Sequence, residues 1–542
     1  MPPAGDATPS PLKLIPHLLW RRALAALLAA CTALSTPALA QVRLPALGES
    51  ASDDLSVAAE RRVGEQIMRE GRRDPSYLDD PVLVEYLQQL WQPLVAAARA
   101  RGDINAETDR AFSWEAFLIR DRSVNAFALP GGYVGVHLGL IGITSSADQL
   151  ASVLAHELAH VTQRHIARSI APQQRASMVA LASILLAVLA ASRNVDAANA
   201  TMIGGQAAAA QSQLNFSRDM EREADRVGFG LLAAAGYSSA GMASMFERLD
   251  QATRLNDNSS FPYLRSHPLT VDRIAEARSR TLLSGAGAPV PTLQHALMQA
   301  RSRVLMDDSA QALLRFNGSS ASALPLDRAA AAYAGALAAS LLNDGARAEA
   351  LAAEALHEAQ AASAHEALAT RAIQLLQAQV RLARGDAAGA LRALDGLASP
   401  PNERAPLLMR AQALLVLHRS APGERAGALR ESTEALQTWV SEHAGDALAW
   451  DLLAGSADAL GLKLRSMRAA AEARVVVGDL PGGIDRLRAA QHLSRGATGQ
   501  DFIEASVIDA RLRQVTAHRR QLQLEAREIR GGRSGPEESQ QH

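Results

Sequence analysis

Apolar residues recur three and four positions apart along most of this 542-residue chain, the period of a helix with one buried face. The spacing predicts helix from about residue 56 to 100, interrupted at "DPSYLDDP". It predicts a strand in "AFSWEAFLIRD", where aromatic and branched residues cluster, and two more short strands in "NAFALPGGYVGVHLGLI". Pro130, Gly131 and Gly132 mark the turn between those two, giving a β-hairpin. A helix opening at Asp148 carries "LASVLAHELAHVTQRHIARS", and a second long helix runs from about Gln206 to Ala235 and stops at Gly236. Between them, Ala176 to Ser192 is uncharged for 17 residues and flanked by Arg175 and Arg193. That stretch reads as a buried or cleft-covering helix, or as one that touches a membrane.

Beyond about residue 292 the pattern changes to helix pairs of similar length with small residues at their crossings. "YAGALAASLLNDGARAEALAAEAL", "AIQLLQAQVRLARGDAAGALRALDGL" and "AAAEARVVVGDLPGGIDRLRAAQHL" share one plan of helix, Gly/Asp turn and alanine-rich helix. Gly345 and Gly385 lie about 40 positions apart, near the tetratricopeptide period, and Trp450 and Leu453 suit the large positions of a further repeat. Such pairs stack into a solenoid whose curved surface holds extended peptides or partner proteins.

Composition narrows the setting. The net charge of -1 and pI near 6.9 give no pull toward nucleic acid, so no nucleic-acid partner is expected. Lys13, Arg21 and Arg22 precede the apolar run "ALAALLAACTAL", and Ala38-Leu39-Ala40 offers a small-x-small cleavage site before Gln41, the anatomy of a secretory signal peptide. "LAAC" ending at Cys31 also resembles a lipoprotein signal, which would make the membrane association peripheral through a lipid. Cys31 is the single cysteine, so cleavage after Ala40 leaves a mature chain without thiols. A metal in that chain rests on histidine and carboxylate.

His156-Glu157-Leu158-Ala159-His160 is an HExxH motif. Histidines four apart on a helix share a face, so both rings reach one ion with Glu157 beside it. Zinc on two histidines keeps a position for water, and a neighbouring glutamate takes the water's proton as general base. A further protein ligand is needed. Glu221 and Asp225 in "SRDMEREADRVGFG" are again four apart: Glu221 completes a His₂Glu site, and Asp225 accepts the second ring N–H of a ligating histidine. The competing reading is a solvated charged face, with Arg218, Arg222 and Arg226 pairing with the acids. Glu223 falls on another face, and His165, five positions past His160, is turned off the ligand face as a surface group.

HELAH with Glu221 in "EREAD" resembles the M48 family of zinc metallopeptidases, as do "NAFALPGGYV" and "RSHPLTVDRIAEA". A leader in front and tetratricopeptide-like repeats behind resemble the periplasmic branch of that family. The resemblance implies a mainly α fold: a zincin-like domain with a small β-hairpin or sheet, followed by an α-helical solenoid. It implies one zinc ion on His156, His160 and Glu221, with Glu157 as general base. His267 in "SHPLT" is then either an extra ligand that holds the enzyme latent or a group that stabilises the oxyanion.

The expected organisation is a signal peptide over 1–40, a peptidase domain over 41–284, a linker over 285–291, repeats over 292–530 and a disordered tail over 531–542. The expected role is a secreted periplasmic endopeptidase that degrades misfolded or stalled outer-membrane proteins and assists their assembly. Unfolded polypeptides are the expected substrates, and the outer-membrane β-barrel assembly machinery the partner of the repeats. The rival role is a largely latent chaperone or assembly scaffold working through the repeat surface. An exposed edge strand near Gly132 to Leu140 is expected to pair with extended substrate.

Overall fold

The computed structural model describes residues 56–169, 217–255, 261–362, 366–397, 403–495 and 500–531. The expected leader, Cys31, the uncharged run from Ala176 to Ser192 and the tail lie outside these residues. The described chain begins with α1 (Val57–Gly71), a short β1 (Tyr77–Leu78), α2 (Pro81–Arg101) and α3 (Ala106–Ala111). "DPSYLDDP" breaks the helical run as expected: Asp80 caps α2 by accepting from Leu83 N, and Pro81 opens it.

Next come β2 (Glu115–Ile119), β3 (Ala126–Leu129) and β4 (Tyr133–His137). The described residues form a four-stranded sheet in the order β1-β2-β4-β3. The hairpin forms as the pattern predicts, with Leu129 opposite Tyr133 and Gly131 and Gly132 at φ 80 and 88. Those angles strain any residue with a Cβ.

The edge assignment is corrected. β4 pairs parallel with β2 on one side and antiparallel with β3 on the other, and it is buried throughout. Residues from Leu138 onward leave the sheet as α4 (Leu138–Ile143). The edge beside the active-site helix is therefore β3. Hairpin reading alone cannot reveal this, because the parallel partner comes from earlier in the chain.

α5 (Ala147–Thr162) starts at Ser146, whose hydroxyl accepts from Gln149 N. Asp148 sits in the first turn, and its carboxylate instead accepts from Ser238 N at 2.9 Å. The described segments after it are α6 (His165–Ser169), α7 (Arg218–Ala234), α8 (Ala240–Leu255), α9 (Tyr263–Ser266) and α10 (Val271–Ser284). α7 ends as the glycine predicts, with Gly236 at φ 85.

The chain is mainly helical from here. α11 (Leu293–Leu305) packs on α4, and the hairpins α13 (Pro325–Leu341) with α14 (Gly345–Ala362) and α15 (Ala367–Ala383) with α16 (Ala387–Asp395) follow a short α12 (Ala310–Leu313). α17 (Arg404–Ser420), α18 (Ala426–Glu442), α19 (Ala447–Ala459), α20 (Lys463–Val476), α21 (Leu480–Leu493) and α22 (Gln500–Gly531) continue the solenoid. Trp450 and Leu453 are buried in it.

Residues 286–292 are irregular, yet one apolar core runs from Val57 through α11 into the first hairpins as far as Met409. Arg301 of α11 is buried and reaches both oxygens of Asp80 at 2.7 Å, with Tyr333 and Gln379 of the hairpins also in contact. Among the described residues, no helix is long and apolar enough to cross a membrane.

Candidate metal centre and active site

Every residue of α5 from Gln149 to Val161 is buried. Leu150, Leu154 and Leu158 are fully covered, and each contributes about 1.5–3 kcal/mol of burial. That anchorage fixes the helix on which His156 and His160 are presented one turn apart. α7 lies against it, and Gly228 is the reason it lies so close: a Cβ there would sit 3.2 Å from the backbone of Ala155. Glu221 and Asp225 precede Gly228 by about two turns and one turn, so the face that touches α5 also carries the two acids to the histidines.

His156, His160, Glu221 and His267 each turn one ligand atom into a common point, all within 4.8 Å of one another. The two Nε2 atoms of His156 and His160 are 3.0 Å apart. His267 Nδ1 is 2.9 Å from Glu221 Oε1 and 3.3 Å from His156 Nε2, and Glu221 lies 3.5 Å and 3.4 Å from the two helix histidines. All four residues are buried. Ring nitrogens converging at this distance, with a carboxylate between them, fit a cation held by nitrogen and oxygen donors, as zinc is.

The surrounding charges agree. Burial disfavours charge on His156, but Asp225 and Glu221 outweigh it and push the ring up to about 10. What draws a proton to that spot draws any cation. Burial opposes ionisation of Glu221 as well, yet His267, His156 and His160 hold it far below the usual carboxylate range. Burial pushes His160 well below the ordinary histidine value.

Asp225 Oδ1 stands 3.0 Å from His156 Nδ1, the position expected of the acceptor that fixes a ligand's tautomer. Both Glu157 oxygens are buried and receive no hydrogen bond among the described residues, with His267 Nε2 3.5 Å from Oε1. A buried carboxylate left without donors is available to take a proton from water. His267 is positioned by α9, where its ring stacks on Tyr263 at 4.7 Å.

Two features escaped the sequence. Arg273 binds Asp225 through Nε and Nη2 at 2.7 and 2.8 Å, Glu221 Oε2 at 2.8 Å and Pro268 O at 2.9 Å, joining both acids to the His267 segment. A signal existed: Thr270 caps α10, and Arg273 occupies the third helical position, where a capping glutamate is favoured and a positive charge is not. The arginines of α7 do not take its place, since Arg222 pairs with Asp219 and Arg226 approaches Glu223.

The second feature corrects the reading of His165 as a surface group. It is fully buried, with Nδ1 2.8 Å from His160 Nδ1 and Nε2 3.0 Å from Glu223 Oε2. Glu223, set aside as facing elsewhere, is its partner. The helical wheel failed because α5 ends at Thr162 and the chain turns at Arg164, in the left-handed region at φ 52.

A helix-borne HExxH beside a small mixed sheet, with a glutamate from a second helix, is the arrangement of a zincin-like fold. Residues 85–281 match the model of peptidase family M48, and the chain carries an M48 peptidase domain there. Relatives include a Vibrio cholerae serotype O1 protein named "Putative beta-barrel assembly-enhancing protease", 41% identical over 272 residues that make up 49% of this chain and 53% of that protein. The beta-barrel assembly-enhancing protease of Escherichia coli K12 is 35% identical over 237 residues, 44% of this chain and 47% of the relative. The mitochondrial metalloendopeptidase OMA1 of Schizosaccharomyces pombe is 29% identical over 228 residues, 41% of this chain and 61% of the relative. The matches thus span about half the length of the curated bacterial relatives.

Proposed function

We propose that this protein is a zinc-dependent endopeptidase of the bacterial periplasm, acting on misfolded or stalled outer-membrane proteins and assisting their assembly. The observation that carries the chemistry is the convergence of His156, His160 and Glu221 next to a Glu157 carboxylate that accepts no hydrogen bond among the described residues. One zinc ion held by those three residues supplies a Lewis acid toward the scissile carbonyl and brings the pKa of a water to about 7. Glu157 takes the proton of the attacking water and delivers it to the leaving amine. Asp225, neutralised by Arg273, keeps the proton of His156 on Nδ1, so that Nε2 is free to bind.

His267 supports latency better than oxyanion binding, because its Nδ1 joins the same cluster and contacts Glu221, so it would hold the ion as a fourth protein ligand in place of water. Extended substrate would lie along β3, the edge strand packed against α5. The names of the bacterial relatives and the leader motif support the compartment and the clients. The solenoid, over residues 292–530, is the surface for partners, including the β-barrel assembly machinery.

Cleavage of an unfolded model protein, with zinc present, tests the reading. The wild-type chain is expected to cut slowly, Glu157→Gln not at all and His267→Ala faster. Inactivity of wild type and His267→Ala alike, with zinc bound, would instead favour a scaffold acting through the repeats.

A further inference from the structure

α5 ends one residue before the loop that leads to His165, and in an unbroken helix a residue five positions on is turned by about 140° from its starting point. His165 nevertheless returns to His160. The turn that returns it is built from a non-glycine residue: Arg164 adopts φ 52, and its Nε donates to the buried Glu60 of α1 at 3.0 Å. A left-handed non-glycine residue is unfavourable by itself, so the ion pair from another helix stabilises a geometry whose effect is to aim His165 at His160.

The hydrogen-bond directions follow by elimination. His160 turns Nε2 toward His156 and Glu221, so with an ion bound there its ring proton would sit on Nδ1. His165 Nδ1, 2.8 Å away, must accept that proton's hydrogen bond. The proton of His165 is then on Nε2, and it donates to Glu223 Oε2 at 3.0 Å. Glu223 is held in turn by Arg168 Nη1, also at 3.0 Å. The other helix ligand is backed differently, since His156 Nδ1 meets the Asp225 carboxylate directly.

We propose that His165 is a positioning residue for the zinc ligand His160, fixing its tautomer and ring orientation through a His160–His165–Glu223 chain. The proposal rests on the zinc reading above. Its consequence is an asymmetric site, in which one histidine ligand is backed by an anion and the other by a neutral imidazole.

Zinc affinity of the full chain, read by competition with a chromophoric chelator, tests it through two substitutions of similar size. His165→Met fills the space but neither accepts from His160 nor donates to Glu223; His165→Gln can do both. The expected result is a tenfold to hundredfold loss of zinc affinity for His165→Met, the range seen when a ligand's hydrogen-bond partner is removed (about 10–100-fold), and near wild-type affinity for His165→Gln. Equal affinities for the two variants would overturn the positioning role and leave His165 as packing. Glu157→Gln serves as control and keeps zinc while losing cleavage. A wild-type chain that binds no zinc overturns the metal reading itself, a result distinct from equality of the two variants.

Discussion

Gly228 of α7 lies so near Ala155 of α5 that a side chain at that position would meet the Ala155 carbonyl at 3.2 Å. Two buried acids ride on the same face of α7, so the contact sets the distance between Glu221 and the histidines. Gly228→Val is expected to separate the helices, cost about 1–3 kcal/mol of stability and weaken zinc binding together. Thermal unfolding and zinc titration on the same variant check this. Loss of stability with unchanged zinc affinity would show that the contact does not set the site.

Arg273 neutralises Asp225 and Glu221 at once. Arg273→Met leaves two carboxylates buried beside each other and is expected to cost about 3–5 kcal/mol in urea unfolding. Zinc should return part of that loss, because the ion offsets the same negative charge. A variant as stable as wild type under chelator would refute the charge argument.

Zinc itself is expected to stabilise the fold. At a free concentration a hundred times its Kd, a ligand bound solely to the native state adds about 2.7 kcal/mol. Chelation should therefore lower the melting temperature of the wild-type chain and leave His156→Ala almost unchanged. Equal shifts in both would place the ion elsewhere.

His295 offers a pH test away from the metal. It is buried between Tyr86 Oη at 2.6 Å and the Thr144 carbonyl at 3.1 Å, and burial pushes it down to about 4 from 6.5. Between those values the unfolded chain binds the proton and the folded chain resists it. Stability should be unaffected by this group above pH 6.5 and should fall as pH drops toward 4, by up to about 3 kcal/mol. Replacing it by Gln should flatten that slope. An unchanged slope in denaturant unfolding across pH 4 to 7 would sink the assignment.

The buried pair of Asp80 and Arg301 ties α2 to α11. Arg301→Leu strands Asp80 and is expected to cost about 3–5 kcal/mol. Because one core continues from Val57 to Met409, the loss should appear in a single transition covering α1 to α11 and the first hairpins. Two separated transitions in wild type would contradict that shared core.

The sequence by itself determined whatever depends on spacing within one element. A four-residue interval places His156 with His160, and Glu221 with Asp225, on single helix faces whatever the rest of the chain does. Gly131, Gly132 and Gly236 mark their turns because left-handed backbone excludes other residues cheaply. The helical hairpins were legible for the same local reason.

Tertiary structure decided whatever depends on a partner distant in the chain. β4 became an inner strand because β2 pairs with it from the side the hairpin leaves free. Arg273 became part of the site because α10 packs beside α7, a contact that no periodicity encodes. His165 went from surface group to neighbour of a ligand because Glu60, over a hundred positions earlier, holds the turn at Arg164. Local pattern records which face a residue takes along a continuing helix; only packing decides whether the helix continues.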